Sequence, residues 1–350
     1  MTHFPDSPLL KLKNDSLSKS AGCATVNIEA YGGGISSTWL DRDLSLAGRV
    51  TINTENGVDS QFVDFKRAIG TIPNLSIHLN RDVNKGFEYN KQNHLSVLLF
   101  GNDEDVNDKI TIYDIVGKEL GIKPDTILDM DLYFYDIQGG ELVGVNRDII
   151  SVGRLDNLAM CHSIYSALKT NAVTQGTNVG VFFDNEEIGS RTLMGADSNY
   201  LNAILDRIVH SLGGNLEDNL RARHKSFLVS ADGAHAHHPN FKDKHDSSYA
   251  PLINRGPVVK MSANFRYATT SESAGFFINL CKKAEVPFQK MVNRSDIPSG
   301  STIGPMSSAS LGIETVDVGN AMFAMHSIRE SQGVKDHFYM TKVIKEFYQS

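Results

Sequence analysis

The feature that most constrains this chain is a change of pattern near Leu155. From there on, short apolar runs alternate with segments whose apolar residues recur at helical spacing, which predicts helices over 156–169, 200–212 and 271–284 and strands over 178–183 and 227–230. Alternating strands and helices are typical of a layered α/β domain with a central sheet. The second part of the chain is therefore predicted to have the α/β fold.

The stretch from Ser16 to about Ile150 has a different pattern. Val50–Asn53 precedes the turn signal Glu55-Asn-Gly57, and Asp129–Ile137 alternates acidic with apolar or aromatic residues. Alternating segments separated by Asn-Gly or Gly clusters are typical of β-hairpins. This stretch is predicted to be a β-rich module with one helix near Ile110–Leu120.

Composition excludes several classes of protein. The 34 Lys plus Arg and 41 Asp plus Glu give a net charge of −7 with no basic block, so nucleic acid is not expected as a partner. No apolar run approaches the roughly 18 residues of a membrane span, and the N-terminal residues do not resemble a signal peptide. We therefore expect a cytoplasmic protein without membrane contact. The three cysteines are too few and too scattered for a disulfide framework or a Cys-based zinc site.

The strongest local signal is the segment Asp184-Asn-Glu-Glu-Ile-Gly-Ser190, directly after a predicted apolar strand. Ligand sites in α/β sheets lie at the carboxyl ends of strands. Two adjacent carboxylates repel each other, and the repulsion falls if one binds a cation while the other holds a proton or water. A solvated acidic turn is the alternative interpretation of such a pair taken alone.

Similar side chains recur at other predicted element ends. Asp232 follows the strand over 227–230, with His235 shortly after it; Asp156 opens a predicted helix, and His326 ends an apolar run. Each residue alone could be structural. Together, carboxylates and imidazoles without Cys indicate a site for zinc, manganese or cobalt.

Six segments of the sequence closely resemble the aspartyl aminopeptidase family, which includes the yeast-type vacuolar aminopeptidases. These segments run in order along the chain and are Tyr31–Arg49, Arg154–Leu158, Asp184–Ser190, Ser230–His235, Ser301–Pro305 and Met325–Arg329.

The resemblance implies an exopeptidase with two zinc ions per chain, with manganese or cobalt as alternatives. In that scheme Asp156 bridges the two ions, His3 and Asp232 complete one site, and Glu187 and His326 complete the other. Glu186 would be the general base.

Further roles follow from the same resemblance. Asp6 would orient the metal histidine His3, and His78 would reach the active site of a neighbouring subunit. Lys260 would lie near the substrate side-chain pocket and favour N-terminal Asp or Glu. Other residues expected at the substrate are His235, Gly300 and Ser301.

The resemblance also implies an architecture. A catalytic α/β domain with a mixed central sheet flanked by helices is expected at residues 1–15 and 150–350, with an inserted β-rich dimerisation domain at 16–149. Dimers would assemble into a dodecamer that takes peptides with a free N-terminus.

The first motif departs from the family pattern, since two residues separate His3 from Asp6 instead of one, and the family carries a further segment ahead of it. An upstream start, a shortened paralogue or a fragment would each account for that. This departure leaves a catalytically weakened paralogue open as a rival function. The other rival is a two-metal amidohydrolase or deacylase of N-acyl amino acids, a hydrolase of another class that shares the fold.

Overall fold

The computed structural model of the chain describes residues 1–3, 9–13, 17–102, 110–170 and 176–350, and for His3 it describes the backbone only. Contacts between residues divide the chain into two compact units. The large unit comprises Met1–Ser7, Gly140–Met325 and Arg329–Ser350, and the small unit comprises Pro8–Gly139 and His326–Ile328. The domain boundaries expected from the sequence stay a prediction.

The strands of the described residues are β1 (Thr2–His3), β2 (Leu9–Leu12), β3 (Ser18–Ser20), β4 (Cys23–Val26), β5 (Ile28–Tyr31), β6 (Leu44–Thr54), β7 (Gly57–Asp64), β8 (Val97–Phe100), β9 (Ile127–Asp136), β10 (Glu141–Val143), β11 (Ile149–Val152), β12 (Phe182–Phe183), β13 (Phe227–Ala231), β14 (Ala234–His235), β15 (Val258–Met261), β16 (Gln289–Val292), β17 (Glu314–Gly319), β18 (Ala321–Phe323) and β19 (Glu330–Gly333). The helices are α1 (Lys91–His94), α2 (Ile112–Leu120), α3 (Leu155–Lys169), α4 (Tyr200–Ser211), α5 (Leu216–Lys225), α6 (Ser271–Lys283), α7 (Gly304–Leu311) and α8 (Val334–Gln349). None of the helices in the described ranges combines the length and apolarity needed to cross a membrane.

The small unit is built on an antiparallel sheet with the strand order β5-β2-β9-β6-β7. Strands β6 and β7 form the hairpin expected at Asn56-Gly57, where Gly57 has φ +107°, a conformation that glycine adopts at no steric cost. Alternation along β9 buries Met130, Leu132 and Phe134 in the core of this unit. The sheet therefore presents one face to a packed core, as its sequence pattern predicts.

The large unit is built on the mixed sheet β13-β17-β15-β16, in which β15 runs antiparallel to β17 and the other neighbours are parallel. Helices α3, α6 and α8 share a core with Val229, Val316 and Val259 of this sheet. Leu228, whose side chain points to the opposite face of β13, packs in a second core together with residues of α4 and α7. Helices on both faces of a mixed sheet confirm the α/β class.

Most elements expected from the sequence are present with small shifts at their ends. One prediction differs clearly, because the apolar run over 178–183 pairs as a strand only at Phe182–Phe183, in parallel with β1. The second sheet of the large unit has the order β10-β11-β19-β18-β14 and includes the hairpin of β18 and β19.

Candidate active site

The adjacent glutamates lie in a tight turn directly after β12. Asn185 has φ +60°, a left-handed conformation that asparagine tolerates better than most residues, and Glu186–Ile188 form one turn of 3₁₀ helix. The Asn185 side chain accepts a hydrogen bond from Thr192 Oγ1 at 2.8 Å, and its carbonyl oxygen accepts one from the Ser190 N–H at 2.8 Å. These bonds fix the turn that carries the half-buried Glu186 and Glu187.

Asp156 lies in the first turn of α3 and is 3% exposed. Its backbone N–H donates to Glu330 Oε2 at 2.8 Å, and Glu330 is itself fully buried. The next residue, Asn157, donates from Nδ2 to the carbonyl oxygen of Ala231 at 3.0 Å, which ties the start of α3 to the end of β13. Glu330 was not predicted as a site residue, although it directly follows the motif that ends at Arg329.

His326 lies in the turn between β18 and β19. The two strands pair through Met322 with Gln332 and Phe323 with Ser331, so the turn is closed at its base. His326 has φ +66° and is half-buried. The hairpin therefore presents the imidazole from a short, constrained turn.

Three predicted metal ligands meet in space. Asp156, Glu187 and His326 each offer one ligand atom, and these three atoms all lie within 4.8 Å of one another. Two carboxylates and an imidazole are ligand types that zinc accepts, and they also suit manganese or cobalt. Carboxylates partly removed from water favour a cation between them, so this triad could hold a metal ion.

Asp232 has different partners. It follows β13, its Oδ1 accepts the Gly233 N–H at 2.6 Å, and its Oδ2 accepts a bond from Lys260 Nζ at 3.1 Å. Lys260 is 2% exposed, and its ammonium group also lies 5.4 Å from the ring centre of Tyr267. Burial is the largest single influence on Lys260 and lowers its pKa, but the charges of Asp232, Tyr267 and Asp317 and the hydrogen bond to Asp232 together raise the pKa overall. Lys260 therefore neutralises Asp232, a contact that the sequence did not predict.

The remaining predicted site residues are not members of the metal triad. The backbone of His3 lies in β1, and Asp6 lies outside the described residues. His78 is exposed in a turn of the small unit, whereas His235, Gly300 and Ser301 are exposed in the large unit. Ser301 Oγ donates to the carbonyl oxygen of Arg266 at 3.0 Å. The roles assigned to these residues stay predictions.

Asp317, a fully buried carboxylate in the apolar strand β17, is a further residue that was not predicted from the sequence. It accepts hydrogen bonds from the Ala268 N–H at 2.6 Å and from Thr302 Oγ1 at 2.7 Å. The signal that could have found it is an acid in the middle of Thr315-Val-Asp-Val318, because charged residues are rarely buried without partners.

Comparison with known proteins gives a consistent result. The family model described as "Aminopeptidase I zinc metalloprotease (M18)" matches residues 1–348. A probable M18 family aminopeptidase 2 of Pseudomonas syringae pv. syringae is 46% identical over 347 residues, which are 99% of this chain and 80% of that protein. A protein of the same description from Clostridium novyi is 45% identical over 348 residues, or 98% of this chain and 80% of that protein.

Solved structures agree with the sequence comparison. A chain in the cryo-EM structure of the Ape4 and Nbr1 complex is 37% identical, with a TM-score of 0.93 over 99% of this chain and 70% of that chain. The M18 aminopeptidase from Thermotoga maritima is 23% identical, with a TM-score of 0.87 over 99% of this chain and 80% of that chain, which shows a shared fold. The chain belongs to the M18 family of zinc metalloproteases and is a metallopeptidase of the aminopeptidase type.

Proposed function

We propose that this M18 enzyme removes the N-terminal residue from peptides with a free α-amine, using two metal ions and Glu186 as the general base. The triad of Asp156, Glu187 and His326 carries this proposal. It supplies the ligands of one ion from three separate segments, and Glu186 precedes one of those ligands in the same 3₁₀ turn.

The second ion is proposed to bind between Asp156, His3 and Asp232. Asp156 has two carboxylate oxygens, so it can serve both ions. If Gly233 carried a Cβ atom, that atom would lie 3.4 Å from Asp156 Oδ1. The turn after Asp232 therefore passes close to the Asp156 carboxylate, which supports this arrangement. Zinc is the ion named for the family, and manganese and cobalt accept the same ligands.

Glu186 is proposed to move the proton. When bound, the ions would acidify the attacking water and polarise the scissile carbonyl group. Glu186 takes a proton from that water and later delivers it to the departing amine, as a general base and then a general acid. The half-buried position of Glu186 suits this role, because the carboxylate stays reachable by substrate while it is partly shielded from bulk water.

The preference for N-terminal Asp or Glu is proposed on the basis of Lys260, with His235, Gly300 and Ser301 lining the pocket. Lys260 is almost completely buried, so it could meet a substrate carboxylate only at the closed end of a pocket. A desolvated cation binds a carboxylate more strongly than an exposed one does. Its contact with Asp232 would link the side-chain pocket to the metal centre.

Assembly and location complete the proposal. The mApe1 protein of S. cerevisiae, 24% identical to this chain, has been solved as a dodecamer. We propose that dimers of this chain assemble in a similar way and that His78 enters a neighbouring active site. In the small unit, His78 lies among the exposed apolar side chains of Leu75, Ile77 and Leu79, which would favour contact with another subunit. The three cysteines, all in described ranges, form no disulfide, which is usual in the cytoplasm.

Two matched substitutions test the proposed roles of the glutamates. Glu186→Gln should lower kcat by about 10²–10⁴-fold without loss of bound metal, because an amide cannot accept the proton. Glu187→Gln should lower the metal content, because a neutral amide is a poorer ligand than a carboxylate. Asp184→Asn makes the same chemical change at an exposed position of the same turn and should alter neither quantity. A Glu186→Gln enzyme with near-normal kcat would remove Glu186 from the base role.

The rival function is tested with the substrates. Peptides with a free N-terminus should be cleaved, and their N-acetylated forms should not. Faster cleavage of the blocked forms would identify the enzyme as a deacylase instead. Metal analysis of the purified protein should find about two ions per chain, as expected for a two-metal site.

A further inference from the structure

Asp317 lies in β17, one of the two inner strands of the mixed sheet β13-β17-β15-β16. It is 0% exposed, and β17 lies between β13, which leads to Asp232, and β15, which carries Lys260. The registers pair Asp317 with Ser230 and Val318 with Val259. A carboxylate this deep in a sheet must be held by hydrogen bonds, because desolvation of an unpaired charge is costly.

Three hydrogen bonds join Asp317 to two loops. Oδ2 accepts the Ala268 N–H at 2.6 Å, and Oδ1 accepts Thr302 Oγ1 at 2.7 Å. The Asp317 N–H in turn donates to Thr269 Oγ1 at 3.0 Å. A Cβ placed at Gly304 would overlap the Asp317 carboxylate, so the chain after Thr302 passes it in direct contact. Asp317 thus holds both segments, with its carboxylate at Ala268 and 302–304 and with its backbone N–H at Thr269.

These two segments adjoin the residues proposed to bind substrate. Gly300 and Ser301 immediately precede Thr302, and Ser301 Oγ donates to the carbonyl oxygen of Arg266, two residues before Ala268. The loops are therefore joined to each other directly and also through Asp317. Since Asp317 is fully buried, it acts on a substrate only through the loops that it holds.

We propose that Asp317 is a positioning residue that sets the shape of the substrate pocket by anchoring the 266–269 and 300–304 loops to the sheet. This inference rests on the proposed placement of the substrate at these loops. An oriented loop binds more tightly than one that must be ordered on binding, because the cost of ordering has already been met during folding.

The consequence for kinetics is specific. Loss of one anchor should weaken ground-state binding and leave the ions and Glu186 in place, so KM should rise while kcat changes little. Loss of a hydrogen bond to a charged group is expected to raise KM by roughly tenfold or more. Loss of the anchor should also weaken discrimination between substrates with different N-terminal side chains, since the same loops are proposed to contact that side chain.

The test uses the zinc-loaded enzyme and peptides with a free N-terminus. Thr302→Val removes the hydroxyl donor with almost no change in shape, and Thr302→Ser keeps the donor. Thr315→Val is the matched control, because Thr315 is also a buried threonine of this region but its hydroxyl donates to the carbonyl oxygen of Ile313, away from both loops. Asp317→Asn is the direct variant, and Thr302→Val keeps the test decisive if Asp317→Asn fails to fold.

We expect KM to rise roughly tenfold in Thr302→Val, with kcat within about threefold of wild type, and Thr302→Ser to restore KM. Metal content should stay unchanged in Thr302→Val, Thr302→Ser and Thr315→Val. Equal KM values in Thr302→Val and Thr315→Val would overturn the inference while the proposed function stands. A wild-type enzyme that does not cleave these peptides would overturn the proposed function and this inference with it.

Discussion

Helix α8 begins with two adjacent titratable groups whose pKa values are shifted in opposite directions from their ordinary ones. Asp336 is fully buried and accepts the N–H groups of Asn254 and Gly256 at 2.5 and 2.8 Å, and burial raises its pKa from 3.8 to about 6. Burial, together with the nearby His162, lowers the pKa of His337 from 6.5 to about 4. The two shifts cover almost the same range of pH.

Their effects on the free energy of unfolding have opposite signs. Folded Asp336 holds its proton up to a higher pH than the unfolded chain does, so the stability it contributes is lost as pH rises through its folded pKa of about 6. Folded His337 resists protonation, so its contribution is complete above pH 6.5 and is lost as pH falls toward 4. Near pH 5 each group alone changes the free energy of unfolding by about 1.2 kcal/mol per pH unit. The change is a decrease with rising pH for Asp336 and an increase for His337, so the two nearly cancel.

When either residue is replaced, the pH dependence of the unfolding free energy that comes from the other residue is no longer cancelled. Relative to wild type, Asp336→Asn should gain stability with rising pH, and His337→Gln should lose it, each by about 1.2 kcal/mol per pH unit. Only the slope is compared, because each substitution also shifts stability by a constant amount.

The assay is urea unfolding of the zinc-loaded protein between about pH 4.5 and 6, at a fixed protein concentration. Lys342→Gln, an exposed change on the same helix, is the control and should run parallel to wild type. Other groups that titrate in this range and do not contact either residue are common to all variants and cancel in the difference. If both variants also ran parallel to wild type, the argument from burial would be refuted.

Three further outcomes are expected. His78→Ala should lower kcat with no change in oligomer size by light scattering, and mixing it with Glu186→Gln should restore some activity; no recovery after subunit exchange would argue against a shared site. Lys260→Met should abolish the preference for Asp over Asn at the substrate N-terminus, measured as the ratio of the kcat/KM values, while N-terminal Leu is still cleaved slowly. An unchanged ratio would reject Lys260 as the determinant of this preference. Thr270 caps α6 through a reciprocal capping box, so Thr270→Ala should cost about 1 kcal/mol in urea unfolding, and no loss would show that the cap is dispensable.

The sequence predicted those parts of the fold that depend on local pattern. The helical spacing after Asp156 and the Asn56-Gly57 turn each gave the correct element. The strand expected over 178–183 is shorter, because its pairing depends on a partner: among the described residues, β1 pairs with it only through Thr2 and His3. Hydrophobicity marks a buried segment but does not say how long its partner is.

The same limit applies to the candidate site. The sequence grouped Asp156, Glu187 and His326 through motifs, and they lie together in space. It did not predict that Lys260 pairs with Asp232, because that contact depends on how two separated strands are arranged in the sheet. Asp317 escaped notice because its partners are a backbone N–H and a threonine hydroxyl, neither of which has a recognisable signature.

The metal triad has a consequence for how the protein is handled and studied. Its ligands come from the start of α3, the turn after β12 and the turn between β18 and β19, segments that are far apart in the sequence and approach one another only in the folded chain. A measured metal affinity therefore includes the free energy of ordering these segments, and metal lowers the population of opened forms by mass action. A chelator is therefore expected to raise the population of forms in which these segments are open, and the retained metal content of a preparation is expected to fall with that population.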